Sequence, residues 1–264
     1  MISDYHLHTQ FSGDSNASPE AMVEQAIKLG MKSMCFTDHV DFGIPSTKFL
    51  IDEDAYFAKM QEIQDEYKDK IDISIGLELG LQPHLASRHH EYLNKYPFDF
   101  VIGSLHIVDG KDPYYPEVFE GKDDAAVYLA YFEQFLENIK AFSGFQIVGH
   151  IDYVVRYGNQ QAAQYSYEAY ANILDEILYE IIDRGLGIEV NTAGIKAGLG
   201  FPNPHPDVIK RYKELGGELI TVGSDAHTPE YIGYEFENIR KMLIEMGFKY
   251  YATFKHRKAQ MERL

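Results

Sequence analysis

The sequence contains a single cysteine, no tryptophan and far fewer basic than acidic residues. Because Cys35 is the only thiol, an intrachain disulfide is excluded, and the apolar run around this residue predicts a small buried side chain. No window approaches the ~18 consecutive apolar residues of a membrane-spanning helix. Asp4 and His6 stand where a secretory signal would need an apolar stretch. We therefore expect a cytoplasmic protein that does not act at a membrane.

The shortage of basic residues leaves 24 Lys and Arg against 41 Asp and Glu, a formal net charge of -17 at pH 7. A surface this acidic repels polyanions, so nucleic acid is not expected as the primary partner. Bound divalent cations would reverse the field inside a pocket without making the whole chain basic. Nothing in the sequence indicates an oligomeric state.

Short apolar runs alternate with amphipathic segments along the chain, and no linker rich in Pro or Ser interrupts them, so residues 1–264 are predicted to form one domain. This alternation is typical of an α/β protein with a parallel sheet, either an open doubly wound sheet or a closed barrel. The strand-like runs are 2–8, 33–39, 71–79, 98–106, 146–153, 187–191 and 218–224. The predicted helices are 18–30, 52–70, 123–141, 166–184, 206–215 and 229–246.

Every strand-like run carries a metal-binding or hydrogen-bonding side chain at or near its C-terminal end. In a closed parallel barrel these ends meet at one face, where active sites lie, whereas an open sheet would spread them along an edge. The distribution therefore favours a closed or nearly closed barrel. The residues concerned are His6, His8, His39, Glu78, His106, His150, Asn191, Asp225 and His227.

The spacing and chemistry of these residues predict a metal site. His6 and His8 are two positions apart, as are Asp225 and His227, and strand residues at that spacing point to the same side. Imidazole with carboxylate suits zinc, manganese or iron. The candidate ligands are too many for one ion and suit two or three divalent ions, and Glu78 is the candidate for a residue that bridges two of them. They are His6, His8, Asp14, His39, Glu78, His106, His150, Asp225 and His227.

Each of these residues taken alone also has a structural explanation, as a salt-bridge carboxylate or a satisfied core histidine, and only their joint placement favours metal binding. No other catalytic signature competes, since the chain has neither a Gly-x-Ser-x-Gly elbow nor a Walker-type phosphate loop. The remaining histidines lie on helical or loop segments and are predicted to be surface residues. These are His84, His89, His90, His205 and His256.

Six motifs, in order along residues 2–247, carry a resemblance to a known family. They are HLHT at 6–9, TDH at 37–39, GLE at 76–78, GSLH at 103–106, GH at 149–150 and GSDAH at 223–227. The chain resembles the PHP (polymerase and histidinol phosphatase) family, which implies a distorted, TIM-like (β/α)7 barrel with a trinuclear metal site at the C-terminal ends of the strands. The segments DHVDFG, GSLHIVDG, GHIDYVVRYG and IEVNTAG look like those of histidinol-phosphate phosphatases. That likeness implies hydrolysis of L-histidinol phosphate in histidine biosynthesis.

The resemblance further implies how the ligands divide among the ions and what the ions do. A hydroxide bridging the first two ions would attack phosphorus, and the third ion would neutralise phosphate oxygens. Asp14 is a departure, because many family members carry His where it falls. The first ion would take His6, His8, Glu78 and Asp225, the second Glu78, His106 and His150, and the third Asp14, His39 and His227.

Residues that contact the substrate are predicted from their chemistry and position. Arg156 is the first choice for a phosphate clamp, because its planar fork matches phosphate oxygens, although a surface helix-cap charge is the alternative. Lys196 is a weaker candidate of the same kind. Asn191 and Ser104 are candidates for hydrogen bonds to substrate. For the proton of the leaving alkoxide, His39, Asp225 and a water on the third ion remain open.

Three other functions compete. A different PHP phosphoesterase would act on nucleotides or phosphotyrosine. An amidohydrolase also opens with His-x-His, but typically ends with an Asp on an eighth strand. A metal-bearing scaffold without activity would not need the full ligand set.

Overall fold

The computed structural model describes residues 2–44 and 48–264. Its central sheet is parallel and follows the chain order, with both β1 (Ser33–Phe36) and β2 (His39–Asp41) paired to β3. The remaining strands are β3 (Asp72–Gly80), β4 (Phe100–Ser104), β5 (Ile147–Val148), β6 (Gly187–Asn191) and β7 (Ile220–Gly223). This agrees with the predicted α/β fold and with the position of the strand-like runs.

The N-terminal segment, residues 2–8, closes the sheet into a ring. On one side the Cys35 N–H donates to the Asp4 carbonyl at 2.9 Å, and on the other the Tyr5 N–H donates to the Val222 carbonyl at 3.0 Å. The segment forms only isolated bridges, at Asp4 and Leu7, so it is not the regular strand that the sequence predicts. With β1 and β2 counted as one interrupted strand and this segment as the seventh, the structure is the expected distorted (β/α)7 barrel.

The helices cover the outside of the ring, and their ends follow ordinary capping rules. Ser18 accepts a hydrogen bond from the Ala21 N–H at the start of the first helix, and Asp52 does the same for Ala55 at the second. The helices are α1 (Pro19–Lys28), α2 (Glu53–Tyr67), α3 (Ala86–Lys95), α4 (Asp124–Ala141), α5 (Ala171–Asp183), α6 (Ala193–Lys196), α7 (Pro206–Glu214) and α8 (Phe236–Glu245). None of the helices described is both long and apolar enough to cross a bilayer.

Further parts of the fold differ from the sequence prediction. The helix α3 was not predicted, because its sequence is largely polar and its buried face has only two apolar residues, Tyr92 and Leu93. The predicted helix 229–246 is broken before α8, where Gly233 has a φ of 67° and its N–H donates to the buried Asp4 carboxylate at 3.0 Å. The chain also ends in an unpredicted antiparallel hairpin of β8 (Tyr250–Lys255) and β9 (Lys258–Arg263).

This C-terminal hairpin covers the N-terminal ends of the barrel strands. Phe254 stacks on Phe100 with ring centroids 4.8 Å apart, and Tyr5 meets Phe100 edge-on. Cys35 belongs to the same buried apolar cluster, as the sequence predicts. Because one end of the barrel is sealed by hydrophobic packing, the polar side chains are left at the other end.

One histidine lies where the sequence analysis did not expect it. His89, predicted to be on the surface, is fully buried on the inner side of α3, with ring centroids 6.1 Å from Phe42 and 5.4 Å from Phe142. The prediction was wrong because α3 itself was not recognised. His84, His90 and His256 are exposed, and the half-buried His205 accepts the Asp207 N–H at the start of α7.

Candidate metal and phosphate site

A cavity of about 320 Å³ opens at the C-terminal ends of the barrel strands. Seven of the nine predicted ligands line it, and His6 and His8 lie fully buried directly beneath. The lining ligands are Asp14, His39, Glu78, His106, His150, Asp225 and His227. Side chains from all parts of the sequence therefore meet at one mouth.

Glu78, near the end of β3, lies at the centre of this cluster. Its Oε1 atom is 2.9 Å from Nε2 of His150 and 3.2 Å from Nε2 of His106. Its Oε2 atom is 3.1 Å from Nε2 of His6 and 2.9 Å from Nδ1 of His39. A single buried carboxylate thus faces imidazoles from several strands on each of its two oxygens, as a residue bridging two cations would.

Asp225 completes the inner part of the cluster. It follows β7 with a φ of 55°, which turns its side chain back over the N-terminal segment. Its Oδ1 atom lies 3.4 Å from Nε2 of His8 and 3.9 Å from Nε2 of His6. The ring nitrogens and carboxylate oxygen of these three residues are close enough together to ligate one ion.

Asp14 lies at the outer edge with two further imidazoles. Its Oδ2 atom is 3.2 Å from Nε2 of His227 and 3.6 Å from Nε2 of His39. The ligand atoms of His39 and His227 also lie within 4.8 Å of one of His8, close enough for these three residues to hold one ion. The sequence prediction that Asp14 reaches the mouth agrees with this placement, and its role as a ligand stays a prediction.

The second ring nitrogen of four of these histidines has a polar neighbour of its own. Nδ1 of His6 lies 2.5 Å from Glu189, Nδ1 of His8 lies 3.0 Å from Ser12, and Nδ1 of His106 lies 2.9 Å from Asp41. Nδ1 of His227 donates to the Asp225 carbonyl at 3.0 Å. Neighbours of this kind fix a ring so that the Nε2 lone pair is free to bind a metal. The list of such neighbours is Glu189, Ser12, Asp41 and the Asp225 backbone.

The electrostatics of the cluster favour ionised carboxylates. Burial raises the pKa of Glu78, but the His6, His106 and His39 rings outweigh it and hold that pKa well below its usual range. The pKa of Asp225 is likewise lowered against burial by His6, His8 and Arg156. For His39, burial is outweighed by Glu78 and Asp14, and its pKa rises to about 10.

Several buried polar atoms at the centre make no hydrogen bond of acceptable geometry, despite the short separations given above. Among the described residues these include Nε2 of His6, Nε2 of His8, Nδ1 of His39 and Oε2 of Glu78. Buried polar atoms without partners are costly, and all four point at one another around a common centre. Nitrogen and carboxylate donors in this arrangement fit transition-metal cations, which would satisfy all of them at once.

Arg156 lines the cavity beside the metal-binding cluster. Its Nε donates to Asn203 at 2.7 Å, its Nη2 to Asn191 at 3.1 Å and its Nη1 to Asp225 at 3.3 Å. Asn203 is held in turn by the buried Asp152. The guanidinium is therefore fixed in one orientation, and this residue is not the surface helix-cap charge of the alternative interpretation.

The other predicted substrate contacts have a different setting. The Ser104 hydroxyl donates to Oε1 of Glu78 at 2.7 Å, and the Asn191 amide donates to Glu189 at 3.1 Å and to Asp225 at 3.3 Å. Lys196 places its Nζ 3.7 Å from the centre of the Tyr231 ring. None of these three is among the described residues that line the cavity. Their contact with substrate stays a prediction.

Sequence reasoning missed several residues of the site. Glu189 and Asp41 were not singled out, although Glu189 has the two-residue spacing to Asn191 that places both side chains on one side of β6. Asp112 and the tyrosines Tyr114, Tyr153 and Tyr157 also line the cavity, and no spacing in the sequence distinguishes them. They come from the connections between strands and helices, with Tyr153 in a short 3-10 helix (Tyr153–Arg156), and the apolar pattern does not determine the path of these connections.

Comparisons with known proteins agree with this geometry. The PHP domain family matches residues 4–193. The histidinol-phosphatase of Lactococcus lactis is 33% identical over 262 residues, which cover 95% of this chain and 93% of the relative. A probable histidinol-phosphatase of Clostridium acetobutylicum is 32% identical over 94% of this chain and 95% of its own length.

A solved structure shares the fold over nearly the whole length. It is the histidinol phosphate phosphatase of Lactococcus lactis, complexed with zinc, L-histidinol and phosphate. The TM-score is 0.92 at 32% identity, with 98% of each chain covered. Together with the family match over most of the chain, these likenesses place the protein: it belongs to the PHP family, alongside the histidinol-phosphatases.

Proposed function

We propose that this chain is a metal-dependent phosphomonoesterase that hydrolyses L-histidinol phosphate to L-histidinol and phosphate in histidine biosynthesis. The observation that carries the proposal is the position of Glu78, a buried carboxylate with imidazoles on both of its oxygens. A relative of 0.92 TM-score that binds zinc, L-histidinol and phosphate supports the choice of substrate.

The proposal also specifies the number and identity of the metal ions and the residues that would hold them. Divalent ions would be held in three sets, and zinc is supported by the relative, with manganese or iron as alternatives. When bound, the ions supply a water made acidic enough to act as a nucleophile near neutral pH and positive charge for the phosphate oxygens. The sets are His6, His8, Glu78 and Asp225; then Glu78, His106 and His150; then Asp14, His39 and His227.

The chain's own side chains orient the ester. Arg156 uses three of its five N–H donors on neighbouring side chains, which fixes the remaining two to bind phosphate oxygens at the cavity wall. His39 and Asp225 both line the cavity, and together with a water on the third ion they remain the candidates for delivering the proton that the leaving alkoxide needs. Ser104 and Asn191 hold Glu78, Glu189 and Asp225 in place.

A substrate panel with matched variants tests the proposal. The purified zinc-loaded protein is assayed on L-histidinol phosphate, a nucleotide, phosphotyrosine and an amide substrate, with and without chelator. We expect L-histidinol phosphate to be hydrolysed best and the chelator to abolish turnover. His8→Ala and Asp225→Ala should each abolish activity with the fold retained, whereas His90→Ala, an exposed histidine, should not.

The contrary results are equally clear. Better turnover of phosphotyrosine or a nucleotide would favour another PHP phosphoesterase, and amide hydrolysis would favour an amidohydrolase-type enzyme. Full activity of a metal-free sample would remove the metal-dependent mechanism. A single domain over residues 1–264 and a cytoplasmic location stay predictions of the sequence.

A further inference from the structure

An aromatic wall leads from the buried ligand cluster to the mouth of the cavity. The Tyr153 ring lies 4.8 Å from that of His150 and 5.0 Å from that of Tyr157, and Tyr157 lies 5.8 Å from Tyr114. Tyr114 is 63% exposed, so the wall formed by these three tyrosines reaches solvent. Because Arg156 sits 5.1 Å from the Tyr153 ring, a phosphate ester held there would extend its alcohol portion along this wall.

Asp112 lines the same cavity from the loop after β4. A tight turn at Asp109 and Gly110, with φ angles of 49° and 74°, fixes the start of this loop. The Tyr114 N–H donates to Oδ1 of Asp112 at 2.8 Å, which leaves its Oδ2 atom for another partner. The half-buried carboxylate is therefore anchored to the residue at the outer end of the aromatic wall.

Asp112 differs from the other carboxylates that line the cavity. These others lie within 4.0 Å of a histidine or arginine nitrogen, as the distances above show for Asp14, Asp41, Glu78 and Asp225. Over residues 2–44 and 48–264, no ion pair involves Asp112. Burial raises its pKa, which reflects the cost of keeping an unpaired charge away from solvent. A cationic group entering the cavity would offset that cost.

We propose that Asp112 binds the ammonium group of the substrate's alcohol portion, and that Tyr153, Tyr157 and Tyr114 contact its imidazole ring. This inference rests on the proposed function and deepens it, because it names the residue that selects a cationic alcohol over other phosphate esters. An ammonium–carboxylate hydrogen bond in a partly dehydrated cavity is among the stronger polar contacts. The adjacent tyrosine faces favour a cationic or aromatic group.

The test compares Asp112→Asn with the wild-type, zinc-loaded protein on three esters. These are L-histidinol phosphate, imidazolylpropyl phosphate, which lacks the amine, and phenylpropyl phosphate, which has no cationic group. We expect Asp112→Asn to lower kcat/KM for L-histidinol phosphate roughly 10- to 100-fold, mostly through KM, and to change the other two esters less than about twofold. Asp109→Asn, which removes a charge from the same loop outside the cavity, is the matched control.

A binding measurement that does not depend on turnover accompanies the kinetics. Titration calorimetry with L-histidinol should show a Kd that is roughly 10- to 100-fold higher for Asp112→Asn than for wild type, and unchanged for Asp109→Asn. An equal loss on all three esters, or no loss on any, overturns the assignment. An equal loss on both imidazole-containing esters moves the contact from the ammonium to the ring and overturns it too. If the wild-type protein neither binds L-histidinol nor cleaves its phosphate, the proposed function itself has failed.

Discussion

Nδ1 of His6 lies 2.5 Å from Oε1 of Glu189, a carboxylate in the middle of β6 that is almost wholly buried. The other oxygen of Glu189 accepts hydrogen bonds from the His150 N–H and the Asn191 side chain. This contact fixes the His6 ring with its Nε2 atom toward Glu78. Through Glu189, His6 is also linked to β6 and to the backbone at His150, just after β5.

Replacing Glu189 by Gln should therefore weaken metal binding, although it removes none of the candidate metal-ligating side chains. Gln keeps the shape of the side chain but removes the charge that stabilises the His6 ring, so we expect zinc affinity to fall about 10- to 100-fold. Competition with a chromophoric chelator measures this directly. Glu176→Gln, on the exposed face of α5, is the control. Equal zinc affinity of the Glu189 variant and wild type would contradict the role given to this contact.

The sequence could predict the candidate ligands but not most of their supporting residues. His6, Glu78 and Asp225 lie at or near the ends of apolar runs. A barrel brings the C-terminal ends of its strands together regardless of how the connecting loops are folded. Glu189 lies inside a run and not at its end, so the rule that run ends meet at the mouth does not select it. Asp112 lies in a loop, and its place beside the tyrosines depends on the turn at residues 109–110.

Arg156 and Lys196 were predicted as a stronger and a weaker candidate for phosphate contact. In the structure Arg156 lines the cavity and Lys196 is not among the described residues that do. Arg156→Ala should lower kcat/KM for the phosphate ester roughly 10- to 100-fold, mainly through KM, because hydrogen bonds to a charged group are lost. Lys196→Met should change it less than about twofold, because this side chain packs on Tyr231 and is not among the described residues that line the cavity. Steady-state kinetics of both variants check the contrast, and a larger effect at Lys196 would reverse it.

Asn203 is expected to act through Arg156 and not on the substrate. Its Oδ1 atom accepts a hydrogen bond from the Arg156 Nε–H at 2.7 Å, and its Nδ2 atom donates a hydrogen bond to Asp152. Asn203→Ala should raise KM for the phosphate ester by a smaller factor than Arg156→Ala. The double variant should be no worse than Arg156→Ala alone, since residues in one hydrogen-bond network are not additive. Additive losses in this cycle would show that Asn203 has an independent role.

The elements that the sequence failed to predict share a physical cause. The helix α3 and the hairpin strand β9 have polar sequences. Both elements are stabilised by tertiary packing, α3 through His89 and the hairpin through Phe254 of β8. The helix predicted for 229–246 breaks because the Gly233 N–H binds a carboxylate from the other end of the chain. Contacts between distant segments of this kind leave no periodic trace in the sequence.

Removing the metal should destabilise the protein as well as inactivate it. Ions that bind only the folded state stabilise it by about 2.7 kcal/mol when present at a hundredfold excess over Kd. We expect chelator to lower Tm by several degrees, since about 1 kcal/mol shifts Tm by about 2–4 °C at this chain length. Thermal unfolding of wild type and of His8→Ala, each with and without chelator, measures the effect. The chelator-induced shift should shrink in the variant, and equal shifts would contradict a metal site that includes His8.

His89 lies outside the active site, and it should make the free energy of unfolding depend on pH. Burial, helped by Arg88 and His84 against the opposing Asp41, lowers its pKa to about 4. In the unfolded chain a histidine has a pKa of about 6.5, so on acidification the unfolded state takes up this proton before the folded state does. The free energy of unfolding is therefore unaffected by the titration of His89 above about pH 6.5. It falls as the pH is lowered from about 6.5 to about 4, by at most about 1.4 kcal/mol per pH unit.

His89→Leu removes the titrating group and fits the apolar surroundings of Phe42 and Phe142. Urea unfolding at a series of pH values between 4 and 7 should show a shallower loss of stability for this variant than for wild type. His90→Leu, the exposed neighbour on α3, should leave the pH slope unchanged. Identical slopes for His89→Leu and wild type would mean that the buried imidazole is not held neutral in the folded state.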